Sequence, residues 1–429
     1  MSAPRLADLV HARFRVVVGD RELDLASLES EARALAATVP RGRVVEVPAG
    51  DARAALIGLE AAWMAGALPL PSARATALTP LEGVEVPDGA ALALRTSGST
   101  GVPRVAWFEA GAVQRSAARI AGYLGLVPED TVALLQPNDH GFGLVGQLLA
   151  AAAVGARVAF CGRPFPGERA AAVAAAGATV IAAVPYGLAQ LAEHLPATSP
   201  EAVARIRQVG SAGGPLAPDL ARRLTTAFHA AAVWNQYGCT EAGPRLTAVP
   251  STHPAFFTGT VGRPIEGVSI WIEGATAPGQ IGEILFSSDM AMGGYLDAPD
   301  ATASARRGPG FSTGDVGILD EAGRLHVVGR VDDLVKVRGE RVSLERLARG
   351  AEEAGADCAV ALVLDAGQAD PQVVVVYEGA QAIRPTALLT HLPPGIAPRR
   401  LLWVPALPRL ANGKVDRTTI EALVRGEAP

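Results

Sequence analysis

Residues 96–104 read Thr96-Ser97-Gly98-Ser99-Thr100-Gly101-Val102-Pro103-Arg104 and follow directly on the apolar run 91–95. Two glycines allow positive φ and bring backbone N–H groups close to an anion. Four hydroxyls add donors, and the Arg104 guanidinium can fork onto phosphate oxygens. A Ser/Thr/Gly cluster can also be a flexible linker, but its place after a strand favours phosphate binding. The G-x-x-x-x-G-K-[ST] pattern of a Walker loop is absent, which excludes a P-loop ATPase or kinase. A second stretch, Trp234 to Gly243, also ends a strand-like run. Tyr237 offers a stacking face for a base, Thr240 a hydroxyl for phosphate, and Glu241 a hard oxygen ligand of the kind Mg²⁺ takes. In Ser312-Thr313-Gly314-Asp315 the aspartate is either a turn residue or a chelator of ribose hydroxyls. Asn412-Gly413 is a tight-turn signal that presents Lys414 at a loop tip.

Such loops need strands to hold them. β-branched or apolar runs at 44–47, 91–95, 131–135, 157–160, 179–184 and 231–237 alternate with Ala-rich helical stretches such as 52–63, 169–176 and 217–226. That alternation predicts a parallel, doubly wound α/β core, in which ligands bind beyond the carboxyl ends of strands. After about Pro250 the texture changes to short strands at 268–272, 282–286 and 324–328, a small β subdomain. Past Arg330, a helix at 344–353 and strands at 358–364, 372–377 and 401–404 predict a small α+β unit. A length of 429 residues also exceeds what one core holds, roughly 250–300 residues. The net charge of −5 gives no basic surplus, so neither nucleic acid nor an anionic membrane is an expected partner. The most lipid-like stretch, 143–161, contains Gln147 and Arg157 and is expected to be a buried helix running into a strand. Cys161, Cys239 and Cys358 are scattered without a CxxC pair, and no signal peptide is visible, so a cytoplasmic location is expected.

In this order the segments resemble the adenylate-forming superfamily: acyl-CoA synthetases, aryl-acid ligases, firefly luciferase and peptide-synthetase adenylation domains. Residues 96–104 are similar to T-S-G-S-T-G-x-P-K, Tyr237 to Glu241 to Y-G-x-T-E, and 312–315 to S/T-G-D. Residues 329–339 resemble G-R-x-D-D-x-[IV]-K-x-x-G, and 412–414 match N-G-K. Residues 210–216 resemble the G-G-A-P-L turn, and 63–70 the early A-G-x-x-x-x-P-L motif. The resemblance implies a large N-terminal domain (1–331) followed by a mobile α+β domain (332–429) that swings about Asp332. It implies that Thr96, Ser97, Gly98, Ser99, Thr100, Gly101 and Arg104 close over the ATP phosphates. Gly214, Pro215 and Tyr237 would sandwich adenine, with Asn235 at its edge. Thr240 would touch the α-phosphate, Glu241 would hold Mg²⁺, Asp315 and Arg330 would hold ribose, and Lys414 would bridge the acid carboxylate and the α-phosphate. Two departures stand out. Arg104 replaces the usual lysine, and Thr96 follows Gly66 by only 30 positions, short for the family.

Asn138-Asp139-His140-Gly141-Phe142-Gly143 resembles the H-x-Y-G-L pocket motif of aryl and acyl ligases. His140 is therefore expected to line the acid site, against the alternative of a structural histidine; Phe142, Ser211, Gly213, Gly238 and Cys239 would join it. Amino-acid-activating relatives place an aspartate at the position of His140, which disfavours an amino acid. Arg245 stands where coumarate ligases have an apolar residue; facing the pocket it would bind a polar acid, facing water it would mean nothing. The expected reaction is activation of an aryl or medium-length acyl acid to an acyl-adenylate, then transfer to the thiol of CoA or of a separate carrier protein. The alternatives are a stand-alone amino-acid adenylation enzyme and a non-catalytic nucleotide-binding relative.

Overall fold

In a computed structural model of the chain, the residues described are 5–18, 21–96, 104–331, 334–337, 340–364, 372–392, 397–410 and 415–426. They divide into two compact units. The first comprises Met1–Trp271, Leu285–Thr313 and Gly323–Leu325; the second comprises Ile272–Ile284, Gly314–Ala322 and His326–Pro429.

The first unit is built on a nine-stranded sheet. Its strands are β1 (Arg15–Val18), β2 (Arg21–Leu23), β3 (Thr131–Leu134), β4 (Arg157–Phe160), β5 (Val180–Ala183), β6 (Gln208–Ser211), β7 (Ala232–Tyr237), β8 (Thr247–Pro250) and β9 (Arg263–Pro264). The spatial order is β9-β8-β7-β6-β5-β3-β4-β1-β2. From β7 to β1 every pairing is parallel, and β2, β8 and β9 add antiparallel edges. Side chains alternate across a strand, so each strand feeds two cores. Val132, Leu134, Val158 and Val180 join one core, while Ala133, Leu135, Ala159 and Ile181 join the other. Helices Ala52–Ala65 and Ala110–Leu124 supply residues to the first core, and Pro166–Ala175, Pro185–Thr198 and Pro218–Ala227 to the second. Both faces of the sheet are covered, as a doubly wound fold requires. The lipid-like stretch becomes a buried π-helical turn, Leu144–Leu149, then a helix, Ala150–Val154, then β4. Among the described residues no helix is long and apolar enough to cross a membrane.

The strand before the Ser/Thr/Gly loop belongs to a different sheet. Ala90–Arg95 pairs antiparallel with Val105–Glu109, which pairs antiparallel with Gly294–Tyr295. The loop therefore joins two hairpin strands rather than a strand and a helix. Its base is closed by Thr96 N–H donating to the Arg104 carbonyl at 2.8 Å and Arg104 N–H donating to Thr96 Oγ1 at 3.1 Å. The expected strands at 268–272 and 282–286 appear as Val268–Ile272 and Gly282–Ser288 in a five-stranded sheet with Gly310–Leu319, Arg306–Arg307 and Leu325–Arg330.

In the second unit, Cys358–Leu364, Gln372–Glu378 and Arg400–Val404 form a three-stranded sheet, antiparallel then parallel. Helix Leu344–Glu353 packs Leu347 and Ala351 against one face, and Ile420 and Val424 of helix Arg417–Arg425 lie in the core of the other. This matches the small α+β unit expected from the pattern.

Candidate active site

Strands β3, β5, β6 and β7 run parallel in nearly aligned register, with Leu134 opposite Ala182, Ala183 opposite Ser211, and Ser211 opposite Asn235. Their carboxyl ends therefore share one edge, and the segments 135–143, 212–217 and 238–246 leave from it. Ser211 is fully buried, whereas Gly213, Gly214 and Pro215 are exposed at the start of their loop. Gly213 sits at φ +79°, a conformation that glycine adopts without strain. Asn235 is buried and its Nδ2 donates to the Thr260 carbonyl at 2.9 Å, which fixes the amide.

Beyond Tyr237 the chain turns through Gly238 and Cys239 into a 3₁₀ turn, Thr240–Ala242. Glu241 is half-buried there, and its Oε1 accepts a 2.8 Å hydrogen bond from the Tyr295 hydroxyl. Burial, and then the Glu241 carboxylate beside it, hold the Tyr295 hydroxyl above its ordinary range, so it stays protonated and donates. The Arg104 guanidinium lies 5.3 Å from the centre of the Tyr295 ring. The strand holding Tyr295 pairs with the one that begins at Val105, and Met292 N–H donates to the Glu241 carbonyl at 2.9 Å. Three segments distant in sequence thus meet at Arg104, Glu241 and Tyr295. Among the described residues no group of three or more His, Cys, Asp or Glu could hold a metal alone.

In the segment leaving β3, His140 stands at the N-cap of the turn Gly141–Gly143, its Nε2 3.6 Å from Asp139 Oδ1. Asp139 Oδ2 accepts from Ala73 N–H at 3.2 Å. Gly143 is obligatory, because a Cβ there would lie 1.9 Å from the Pro137 carbonyl oxygen. Arg245 does not face water. It is 4% exposed, and its guanidinium lies 4.5 Å from the Phe142 ring centre. In the second unit, Arg330 donates to Asp315 at 2.9 Å and Val331 N–H donates to the Gly314 carbonyl. Ser97, Gly98, Ser99, Thr100, Gly101, Asp332 and Lys414 lie outside the described residues. Tyr295 was missed by sequence reasoning, because only strand pairing brings it to Glu241. The one local trace is Gly293, where a Cβ would come within 2.1 Å of the Trp107 ring.

The family model described as "AMP-binding enzyme" matches residues 8–296. The chain is 29% identical over 341 residues to a feruloyl-CoA synthase of Amycolatopsis, covering 76% of this chain and 68% of the relative. Its fold is similar to that of ATP-bound MatB from Rhodopseudomonas palustris, with a TM-score of 0.84 at 21% identity over 99% of both chains. It is also similar to the o-succinylbenzoate CoA synthetase of Bacillus subtilis in complex with ATP and magnesium ion, with a TM-score of 0.82 at 20% identity over 97% and 98% of the two chains. With more than half of its length matched by the family model, the chain belongs to the AMP-binding enzyme family.

Proposed function

We propose that the chain uses ATP to activate an aryl or medium-length acyl acid and passes the acyl group to a phosphopantetheine thiol, of CoA or of a separate carrier protein. An acid carboxylate oxygen attacks the α-phosphorus in line; the bond from that phosphorus to the bridging β-phosphate oxygen breaks and pyrophosphate leaves. The thiol sulfur then attacks the acyl carbon, its proton is lost, and AMP leaves. Two anions must meet in the first step, so the site has to cancel their repulsion. Thr240 and the N–H groups of the loop between Thr96 and Arg104 would be the donors for phosphate, with Arg104 and Lys414 as the cations. Mg²⁺ would neutralise charge on the phosphates, and Glu241, aimed by Tyr295, is the residue that would hold it. Tyr237 with Gly214 and Pro215 is assigned to adenine, and Asp315 with Arg330 to ribose. Asp332 is assigned as the hinge, and His140, Phe142, Ser211, Gly213, Gly238, Cys239 and Arg245 to the acid pocket.

The observation that carries this reading is the fixed Glu241 carboxylate, tied through Tyr295 to the strand that follows the Ser/Thr/Gly loop, in a chain of this family. The test is a screen for acid-dependent pyrophosphate release over aryl, fatty and amino acids, with and without CoA. Glu241→Gln keeps size and loses charge, and should raise half-saturation by Mg²⁺ about tenfold, the loss of ~1.4 kcal/mol of ion binding. Pyrophosphate release that ignores the acid, or an unchanged Mg²⁺ titration, counts against the assignment.

A further inference from the structure

Arg245 sits between Tyr237 and the first residues of β8, where the chain folds back so tightly that Leu246 N–H donates to the Tyr237 carbonyl at 2.9 Å. Gly238 leaves no room on the opposite side, since a Cβ there would be 2.8 Å from Arg245 Cα. The side chain is 96% buried by its 4% exposure, and its neighbours are apolar or neutral. The Phe142 ring lies against the guanidinium, and a Cβ on Gly146 would come within 3.4 Å of Nη2. Tyr123 is beside it, its hydroxyl held neutral by burial and accepting from Gln236 Nε2 at 2.8 Å. The guanidinium also hydrogen-bonds the Tyr123 hydroxyl, its Nη1 reaches the adjacent Pro244 carbonyl at 3.3 Å, and the buried Nε has no hydrogen-bond partner. Among the described residues no carboxylate pairs with this cation.

A buried guanidinium without an anion is costly, because desolvation is not offset by Coulomb attraction or by a full set of hydrogen bonds. Other buried polar atoms without partners collect at the same sheet edge: both side-chain polar atoms of Asn138, Asp139 Oδ1, Ser211 Oγ and Gln236 Oε1. With Arg245 Nε they are six of the eight such atoms among the described residues, and native proteins keep such atoms few unless something else satisfies them. A ligand carrying acceptors would satisfy the donors among them, Asn138 Nδ2, Ser211 Oγ and Arg245 Nε, whereas Asn138 Oδ1, Gln236 Oε1 and Asp139 Oδ1 are themselves acceptors.

We propose that the acid activated here carries a second anionic group, a second carboxylate in the simplest case, and that Arg245 is the residue that selects for it. This rests on the acid-activating reading above. The loop sets a length scale. Arg245 lies four positions after Glu241, a Cα-to-Cα reach of at most about 14 Å, so short and medium diacids are the range to search.

The test measures acid-dependent pyrophosphate release by the full chain. The probes are aliphatic diacids of three to eight carbons and the three phthalic acids, each beside its own monomethyl ester. The ester keeps one free carboxyl group and nearly the same shape while removing the distal charge. The wild type should prefer a diacid over its half-ester by ~10²-fold or more in kcat/KM, the scale on which a buried charge depends on its partner. In Arg245→Met the ratio should collapse toward one, through KM for the acid and with KM for ATP held. Arg245→Lys should recover part of the ratio. Equal use of diacids and half-esters by the wild type overturns the inference and leaves acid activation standing, and this comparison decides the matter even if Arg245→Met fails to fold. A parallel loss of both substrates in Arg245→Met also overturns it. If no acid at all stimulates pyrophosphate release, the acid-activating reading fails and this inference falls with it.

Discussion

A carboxylate that holds a cation works only if its oxygens are aimed, and Glu241, proposed for Mg²⁺, is aimed by the Tyr295 hydroxyl. The Tyr295 hydrogen bond, 2.8 Å to Oε1, is a neutral donor on a charged acceptor, a type worth about 1.5–3 kcal/mol. Tyr295→Phe removes it and leaves the ring in place against Arg104. The expected result is a severalfold rise in the Mg²⁺ needed for half-maximal pyrophosphate release, smaller than that of Glu241→Gln, with the melting temperature little changed. A large drop in melting temperature with an unchanged Mg²⁺ titration would make Tyr295 a packing residue only. Glu241, Thr240 and Arg104 were legible because residue type and spacing alone place them in loops after strands. Tyr295 was not, because it lies 54 residues from Glu241 and its role comes from strand pairing. Arg245 was half legible: the sequence showed a charge where an apolar residue is usual, and only packing could show that the charge is buried and unpaired.

At the level of elements, the edge that gathers these loops depends on how the opposite ends of the strands are pinned. Asp130, just before β3, is 2% exposed. Its Oδ1 accepts from Thr179 Oγ1 and from Arg207 Nε, each at 2.7 Å, and its Oδ2 from Val127 N–H at 2.9 Å. Thr179 and Arg207 directly precede β5 and β6, so one carboxylate aligns the starts of three adjacent strands and thereby their ends. Burial alone would raise the Asp130 carboxyl, but Arg207, the Val127 N–H and the Thr179 hydroxyl outweigh it and hold the group below its ordinary range. A depressed carboxyl contributes stability that is present above its unfolded pKa, near 3.9, and is lost as pH falls through the lower folded value. Asp130→Asn should therefore cost about 2–3 kcal/mol at neutral pH, below the figure for a fully buried pair because Arg207 is 36% exposed. It should also flatten the loss of stability below about pH 4. Urea midpoints from pH 3 to pH 7 check both, and a mutant whose acid limb parallels the wild type would remove Asp130 from this role. β3, β4, β5 and β7 were legible as apolar runs. β6 was not, because Gln208, Gly210 and Ser211 leave it a single apolar side chain; β2, an edge strand of three residues, was missed, and so was β1, which lies between β4 and β2.

For the molecule as a whole, the question is how one chain runs two reactions with conflicting needs. In the proposed mechanism the adenylating step needs the Lys414 charge beside two anions. The thiol-accepting step needs the thiol to reach the acyl carbon from which AMP will leave, and the proposed C-terminal domain could not offer both arrangements at once. A few backbone dihedrals must absorb the difference. In the second unit the chain is tied down through Val331, whose N–H donates to the Gly314 carbonyl at 2.9 Å, next to the Arg330–Asp315 pair. The hairpin Leu334–Val337 with Glu340–Ser343 begins only three residues later. Asp332 falls in that gap, where a rotation would leave the proposed ribose contacts intact, and this is the physical case for proposing it as the hinge. Proline fixes φ near −65° and also restricts the residue before it, so Asp332→Pro should lock one arrangement. The expected outcome is acid-dependent pyrophosphate release close to wild type, with thioester formation on CoA or carrier protein reduced ~10²-fold or more, while Asp332→Ala retains both. Parallel loss of the two half-reactions, or loss of neither, would show that the chain does not pivot at Asp332 and would leave that residue a turn position.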